Sequence, residues 1–345
     1  MIFRQLFDKT SSTYTYLLAS RNGGEALLID PVLDQTGRYL KLLEELDLKL
    51  VKVIDTHVHA DHVSAMGKLR DATRCVTVMG EQSPTDIVSM RVRDNEKLTI
   101  EGLSLTALYT PGHTNESYSF LMDDRVFTGD TLLIRGTGRT DFQNGDPYDQ
   151  YHSLFERLLK LPEQTFVFPG HDYKGDTVST IAEEKAFNPR LNVSSADEYA
   201  EIMNNLNLPN PKMMDVAVPE NLKLGLRLEA QRRVPAIDVP DLLNSWPDVA
   251  VQLIDIREES ERLNDGAIPN SLHLPYGRFE SHCSAVGTLR SLSQNCELLV
   301  YCAVGERSTL AIEIAAEHDI HNIKHLPGGF WEWRRSGGEV EAVSP

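Results

Sequence analysis

THVHADH at residues 56–62 decides the fold of this chain. It follows the apolar run Leu50-Val51-Lys52-Val53-Ile54 and crowds His57, His59, Asp61 and His62 into one short turn. Imidazole and carboxylate side chains alternating at the end of a strand can converge on one cation. Three further segments extend the pattern: TPGHT brings His113, FTGDT brings Asp130 and FPGHD brings His171, each in a Gly-marked turn after a β-rich run. A lone histidine at a strand end is most often an ordinary polar residue with a hydrogen-bond partner. Seven such groups, repeating one strand-then-turn setting, reverse that balance in favour of a metal centre.

Outward from this core, TYTYLLAS, EALLIDP, VKVIDTHVH, RCVTVMG and LSLTALYTPGH read as strands separated by turns. Residues 36–47 and 61–71 read as helices, with Leu40, Leu43 and Leu46 spaced for one apolar face. Asp146-Pro147 opens a further helix through YDQYHSLFERLLKL, stopped by Pro162. Single strands that each end in a His- or Asp-bearing loop describe sheets presenting a site at their carboxyl ends. From 188 to 236 the pattern loosens into Pro- and Asn-rich segments with one short helical stretch. A new α/β rhythm then begins with VQLIDIR, EESERLN, ELLVYC and ERSTLAIEIAAEHDI. The expected organisation is a first domain over 1–212, a linker over 213–235 and a second domain over 236–345.

The order THxHxDH, then a distant His, an Asp and a final His, resembles the metallo-β-lactamase superfamily. That resemblance implies an α/β fold, an αββα sandwich with the metal at its edge. In hydrolases of that superfamily two zinc ions share these seven positions and a metal-bound hydroxide attacks a carbonyl. Within the superfamily, FRQLFDKTSSTYTYLL, TLLIRGTGRTDFQNGD and FPGHDYKG are similar to the persulfide dioxygenases, over most of residues 1–235. The resemblance implies one Fe(II) per chain held by His57, His113 and Asp130. It leaves His59, Asp61, His62 and His171 outside the ligand sphere, orienting ligands or passing protons. Three facial ligands leave adjacent positions open for oxygen and for a substrate sulfur. The implied reaction takes glutathione persulfide, O2 and water to glutathione and sulfite. Ligand identity alone leaves open a binuclear zinc thioester hydrolase of the glyoxalase II type. Against it stands the lack of a legible helical substrate-binding extension after residue 188.

Arg139 in GTGRTDF, with Tyr173 and Lys174 in HDYKG, lies beside these loops and is a candidate to clamp glutathione carboxylates, which a guanidinium fork suits. An equal alternative for Arg139 is a structural pair with Asp141.

ELLVYCAVGERST places Cys302 directly after an apolar strand, in a Gly-containing loop opening onto a helix near Glu306. Loop N–H groups and the positive end of a helix steady an anionic sulfur, and Arg307 adds a charge nearby. Cys302-Ala303-Val304-Gly305-Glu306-Arg307 resembles the six-residue active-site loop of the rhodanese family. LIDIREESERLNDGAIPNSLHLP and LPGGFWEWR resemble other blocks of that family, over about 236–340. The resemblance implies an α/β domain with a parallel sheet in which Cys302 carries sulfur as a persulfide. Arg307 would assist and Ala303 to Glu306 would cradle the substrate, with sulfur moving between thiosulfate and glutathione. The related phosphatases use a longer loop.

A formal net charge of −17, spread over both halves, makes nucleic acid and anionic membrane surfaces poor partners. The first residues hold no uninterrupted apolar core of signal-peptide length, and no later stretch approaches a membrane span. Cys75, Cys283, Cys296 and Cys302 form no CxxC pair. A cytoplasmic protein with reduced thiols is expected. A homodimer is expected by family resemblance.

Overall fold

The computed structural model describes residues 1–206, 208–209, 211, 213–224, 234–247 and 251–344. The chain divides into two compact units: Met1–Asp86 with Met90–Leu224, and the described residues beyond Leu224 together with Ile87–Ser89.

In the first unit, β1 (Ile2–Asp8), β2 (Thr13–Ala19), β3 (Glu25–Ile29), β4 (Lys49–Ile54), β5 (Val76–Gly80) and β6 (Met90–Val92) form one sheet in that order. β1 to β3 pair antiparallel and β3 to β6 pair parallel. A second six-stranded sheet runs β12-β11-β10-β9-β8-β7. Its strands are β7 (Lys97–Ile100), β8 (Leu103–Tyr109), β9 (Tyr118–Leu121), β10 (Arg125–Gly129), β11 (Phe166–Pro169) and β12 (Ser179–Thr180). Every residue of β2 is buried, as TYTYLLA predicts for a strand covered on both faces. The two sheets meet through aromatic rings: Phe3 and Tyr16 of the first lie 4.9 Å from Phe168 and Phe127 of the second, centroid to centroid.

Helices cover the outer faces, completing an αββα sandwich. α1 (Thr36–Glu45) buries Tyr39 and Leu43. α2 is Met66–Thr73, so the helix expected over 61–71 begins five residues later. Asp61 and His62 instead lie in the loop, where their side chains bond to other site residues rather than extending a helix. α3 (Pro147–His152), capped by Asp146, continues as a π turn over Ser153–Arg157 and a 3-10 turn over Leu158–Lys160, not as one regular helix to Pro162. With α4 (Ile181–Phe187) and α5 (Ala196–Asn204) these turns enclose a core of Val126, Leu132, Leu154, Leu158, Val167 and Tyr199. α6 (Met214–Asn221) occupies part of the stretch read from the sequence as linker. Its internal Pro219 and weak apolar periodicity hide it from a pattern search, yet Ala217 and Asn221 are buried. Among the described residues two short α-helices, α5 and α6, therefore lie between 188 and 236 where one was legible.

The second unit holds a four-stranded sheet, β14-β13-β15-β16, parallel throughout. Its strands are β13 (Val251–Asp255), β14 (Leu272–His273), β15 (Glu297–Tyr301) and β16 (Ile323–His325). Leu253, Leu299, Tyr301, Leu326, Phe330 and Trp333 form its core. Parallel strands joined by helices all deliver their carboxyl ends to one edge, which is where a ligand loop can sit. Among the described residues no helix is long and apolar enough to cross a membrane.

Candidate functional site

The first site lies where four strand ends meet: β4 leads into 56–62, β8 into His113, β10 into Asp130 and β11 into His171. β10 and β11 are parallel, and β8 runs the same way because both it and β10 pair antiparallel with β9. Tyr118 N–H donates to Thr56 O at 2.9 Å and ties the two sheets at that edge. One donor atom each from His57, His113 and Asp130 falls within 4.8 Å of the others. All three rim a cavity of about 260 Å³.

Hydrogen bonds fix which atoms face inward. Thr56 Oγ1 gives its single proton to Asp30 Oδ2 (3.0 Å), so it accepts from His57 Nδ1–H at 2.9 Å. His113 Nδ1–H donates to the Arg139 carbonyl oxygen at 2.7 Å. Both imidazoles therefore keep Nε2 as a lone pair, as a metal requires. Asp130 Oδ1 accepts from His171 Nδ1–H at 2.6 Å, and its Oδ2 lies 3.6 Å from His113 Nε2. Burial, followed by the neighbouring His59 and His113, holds His57 well below the usual imidazole pKa, in the neutral form a metal binds. Burial opposes charge on Asp130, but His171, His113 and His57 outweigh it and keep the carboxyl ionised below the usual range. Two imidazole nitrogens and one carboxylate oxygen, opening onto a cavity, fit the two-histidine, one-carboxylate donor set of non-haem Fe(II).

Of the other four predicted groups, Asp61, His62 and His171 bond to one another, while His59 turns to Asp30. His59 Nε2 faces Asp30 Oδ1 at 3.2 Å, and although burial opposes its charge, Asp30 raises its pKa to about 9. His62 Nδ1 and His171 Nε2 both approach Asp61 Oδ2, at 2.9 and 2.8 Å. Burial works against ionisation of Asp61, yet His171 and His62 hold its pKa well below the usual range. His171 thus bridges Asp61 and Asp130.

Three supporting residues were not singled out from the sequence. Asp30 adopts φ +51°, uncommon for a side-chain-bearing residue, and its carboxylate also accepts Thr56 N–H at 2.7 Å. Thr56 and Asp30 stand at strand ends, which is the only signal they gave. Asn221 Nδ2 donates to the carbonyls of His59 and His62, each at 2.9 Å, and its Oδ1 accepts from Ser64 N–H at 2.8 Å. Nothing local to Asn221 points to that contact.

In the second unit, Cys302 follows β15 and precedes the helix Glu306–Glu317. Its Sγ accepts Gly305 N–H at 3.2 Å, with Ser308 Oγ at 3.9 Å. Gly329, at φ +58°, passes so close that a Cβ there would meet the Cys302 carbonyl oxygen at 2.3 Å. Cys302, Ala303, Gly305, Glu306 and Arg307 are buried, and Val304 is half-buried. Arg307 places both terminal nitrogens on Glu261, at 2.7 and 2.6 Å. Its charge near Cys302 is therefore largely balanced by a carboxylate, a pairing the sequence did not reveal. Arg257 forms a second buried pair with Asp255 and stacks over Phe330 at 3.9 Å.

The metallo-beta-lactamase superfamily model matches residues 9–85 and 80–171, and the rhodanese-like domain model matches residues 238–336. The proteins named persulfide dioxygenase ETHE1, mitochondrial, of Mus musculus and of Homo sapiens are each 42% identical to this chain over 230 residues, 66% of this chain and 90% of theirs. The chain belongs to the persulfide dioxygenase family. It is an enzyme, a dioxygenase of that family joined to a rhodanese-like domain of sulfurtransferase type. A crystal structure of ETHE1 from Myxococcus xanthus is 53% identical, covering 64% of this chain and 98% of that chain with a TM-score of 0.63. A metallo-beta-lactamase structure from Staphylococcus aureus, 20% identical, spans 95% of this chain and 98% of its own at a TM-score of 0.59, a likeness of fold alone.

In this persulfide dioxygenase-family chain, Arg139, Tyr173 and Lys174 all line the cavity of the first unit. Arg139 grips Asp141 with Nε and Nη2 at 2.5 and 2.6 Å and gives Nη1 to the Pro209 carbonyl at 2.7 Å. The pair with Asp141 is thus the arrangement found, and most of the guanidinium fork is already engaged. Tyr173 is 73% exposed, its ring parallel to His171 at 6.1 Å. Lys174 is exposed on the same loop.

Proposed function

We propose that the first unit of this dioxygenase oxidises glutathione persulfide with O2 to sulfite and glutathione at a single Fe(II), and that the second unit passes sulfur between thiosulfate and glutathione through Cys302. The observation that carries the reading is the convergence of His57 Nε2, His113 Nε2 and an Asp130 oxygen on one edge of a cavity of about 260 Å³. Iron bound there supplies redox access to O2 that zinc lacks. The chain's own residues do the rest. His57 and His113 are held in the tautomer that offers Nε2, His171 fixes the Asp130 carboxylate, and Asp61 steadies His171 from behind. Phe142 stands edge-on to His113 and adds an apolar wall to the cavity. Tyr173 and Lys174 offer an aromatic face and a cation to a peptide carboxylate at the mouth, while Arg139 positions the loop through Asp141.

The overall change balances: persulfide, O2 and water give thiol and sulfurous acid. The terminal sulfur loses four electrons and O2 gains them. In the second unit, the Cys302 thiolate attacks the outer sulfur of thiosulfate, sulfite leaves, and a glutathione thiolate then takes the sulfur from Cys302. Gly305 N–H and the start of the following helix face the sulfur that carries the charge. The reduced cytoplasm is the proposed compartment, in keeping with four free cysteines.

The test is oxygen consumption with glutathione persulfide by iron-supplemented protein, with metal content measured on the same sample. About one iron per chain, and uptake lost in His113→Ala, is expected. Two zinc ions per chain with no oxygen uptake would refute the reading. Cys302→Ser is expected to abolish thiosulfate-to-glutathione transfer and leave oxygen uptake intact.

A further inference from the structure

Thr13 opens β2 and is fully buried. Its Oγ1 lies 3.0 Å from Asp61 Oδ2, 3.1 Å from His171 Nε2 and 3.3 Å from His62 Nδ1. A carboxylate oxygen and two imidazole nitrogens therefore surround one point, and a hydroxyl fills it. The backbone pins the hydroxyl there. Thr13 forms an isolated bridge with His171, and Tyr14 N–H donates to Gly170 O at 2.8 Å. Ser11 Oγ adds a contact at 2.7 Å.

We propose that the Thr13 hydroxyl is a plug that denies Asp61, His62 and His171 to a second metal ion and so sets the metal count of the centre at one. This rests on the single-metal reading above. A divalent ion needs nitrogen and oxygen donors at about 2.0–2.2 Å. An ion reaching all three side chains would overlap Oγ1, so hydroxyl and ion compete for the same space. The hydroxyl also joins the bonds that already occupy Asp61, which receives His62, His171 and Thr13 on a single oxygen. His62 Nε2 is buried and makes no hydrogen bond among the described residues. The His62 Nδ1, which faces the hydroxyl at 3.3 Å, is the nitrogen an ion at that point would take, with the ring proton on Nε2.

The experiment strips the full-length chain with a chelator, titrates it with Zn(II), removes loose metal by gel filtration and counts retained zinc by elemental analysis. Far-UV circular dichroism confirms folding of each variant. Wild type and Thr13→Ser, which keeps the hydroxyl, are expected to retain one equivalent. Thr13→Ala is expected to retain two, falling back to one when Asp61→Asn is added. A folded Thr13→Ala that retains one equivalent overturns the plug while leaving the single-metal reading standing. Two equivalents in wild type overturn both, whether or not Thr13→Ala folds.

Discussion

Glu261→Gln tests how the sulfur loop of the second unit is held. Both terminal nitrogens of the fully buried Arg307 rest on the Glu261 carboxylate. Burial alone would depress the guanidinium pKa, and Glu261 raises it instead. Glutamine keeps the shape but removes the charge and turns an N–H2 toward the guanidinium. Breaking a buried ion pair from one side costs about 3–5 kcal/mol, because the remaining charge is left uncompensated. With a urea dependence of about 1.5 kcal/mol per molar for a unit of this size, the unfolding midpoint should fall by about 2–3 M. The three tryptophans of the chain, Trp246, Trp331 and Trp333, all lie in the second unit, and two of them pack edge-to-face at 5.1 Å. Tryptophan fluorescence during urea unfolding of the full chain therefore reads this unit alone. Glu261→Leu combined with Arg307→Met, which removes both charges, should cost less than Glu261→Gln. A midpoint shift under about 0.5 M, less than about 1 kcal/mol, would show that the pair does not bear on the stability of this unit.

Gly138→Ala should disturb the metal centre, since a Cβ there would lie 2.2 Å from the Asp130 carbonyl oxygen and 2.8 Å from His113 Nδ1. Displacement of His113 by about 1 Å is expected to cut oxygen uptake about a hundredfold and lower retained iron, both measured on one sample. Leu154→Ala, in the π turn that continues α3 and buried in the core, should cost about 2–5 kcal/mol by circular dichroism while iron content stays at wild-type level. Burial raises the Cys283 thiol to about 11, with Glu280 adding to it. The folded state therefore favours the protonated thiol. That contribution is fully present below about pH 9 and is lost as pH rises through 11. The stability advantage of wild type over Cys283→Ala, followed by tryptophan fluorescence, should shrink across that window, and a widening gap would contradict the assignment.

The strands that build the site were legible because each is a short β-rich run broken by Gly, Pro or Asp. The residues their loops carry belong to few chemistries. THVHADH, TPGHT, FTGDT and FPGHD are legible as a metal centre, and Cys302 between strand and helix as a sulfur loop, from residue type and spacing alone. α6 was not legible, since Pro219 contradicts a helix and Met214–Asn221 lacks an apolar stripe. The break of α3 into a π turn was hidden for the opposite reason: YDQYHSLFERLLKL fits a regular helix, and packing of Leu154, Leu158 and Leu159 sets the irregular turns.

The residue types by themselves determined that imidazoles, carboxylates and one thiol would carry the chemistry, because ligand and nucleophile character belong to the side chain. Only the tertiary structure decided how they divide. His57, His113 and Asp130 face one cavity, His59 turns to Asp30, and His171 bridges two aspartates, because hydrogen bonds between residues distant in sequence choose each ring's orientation. The same holds for Arg307 with Glu261, and for Thr13 among Asp61, His62 and His171. A hydrogen bond depends on tenths of an ångström, and those distances arise where separate strands close against each other, a fact that no single stretch of sequence contains.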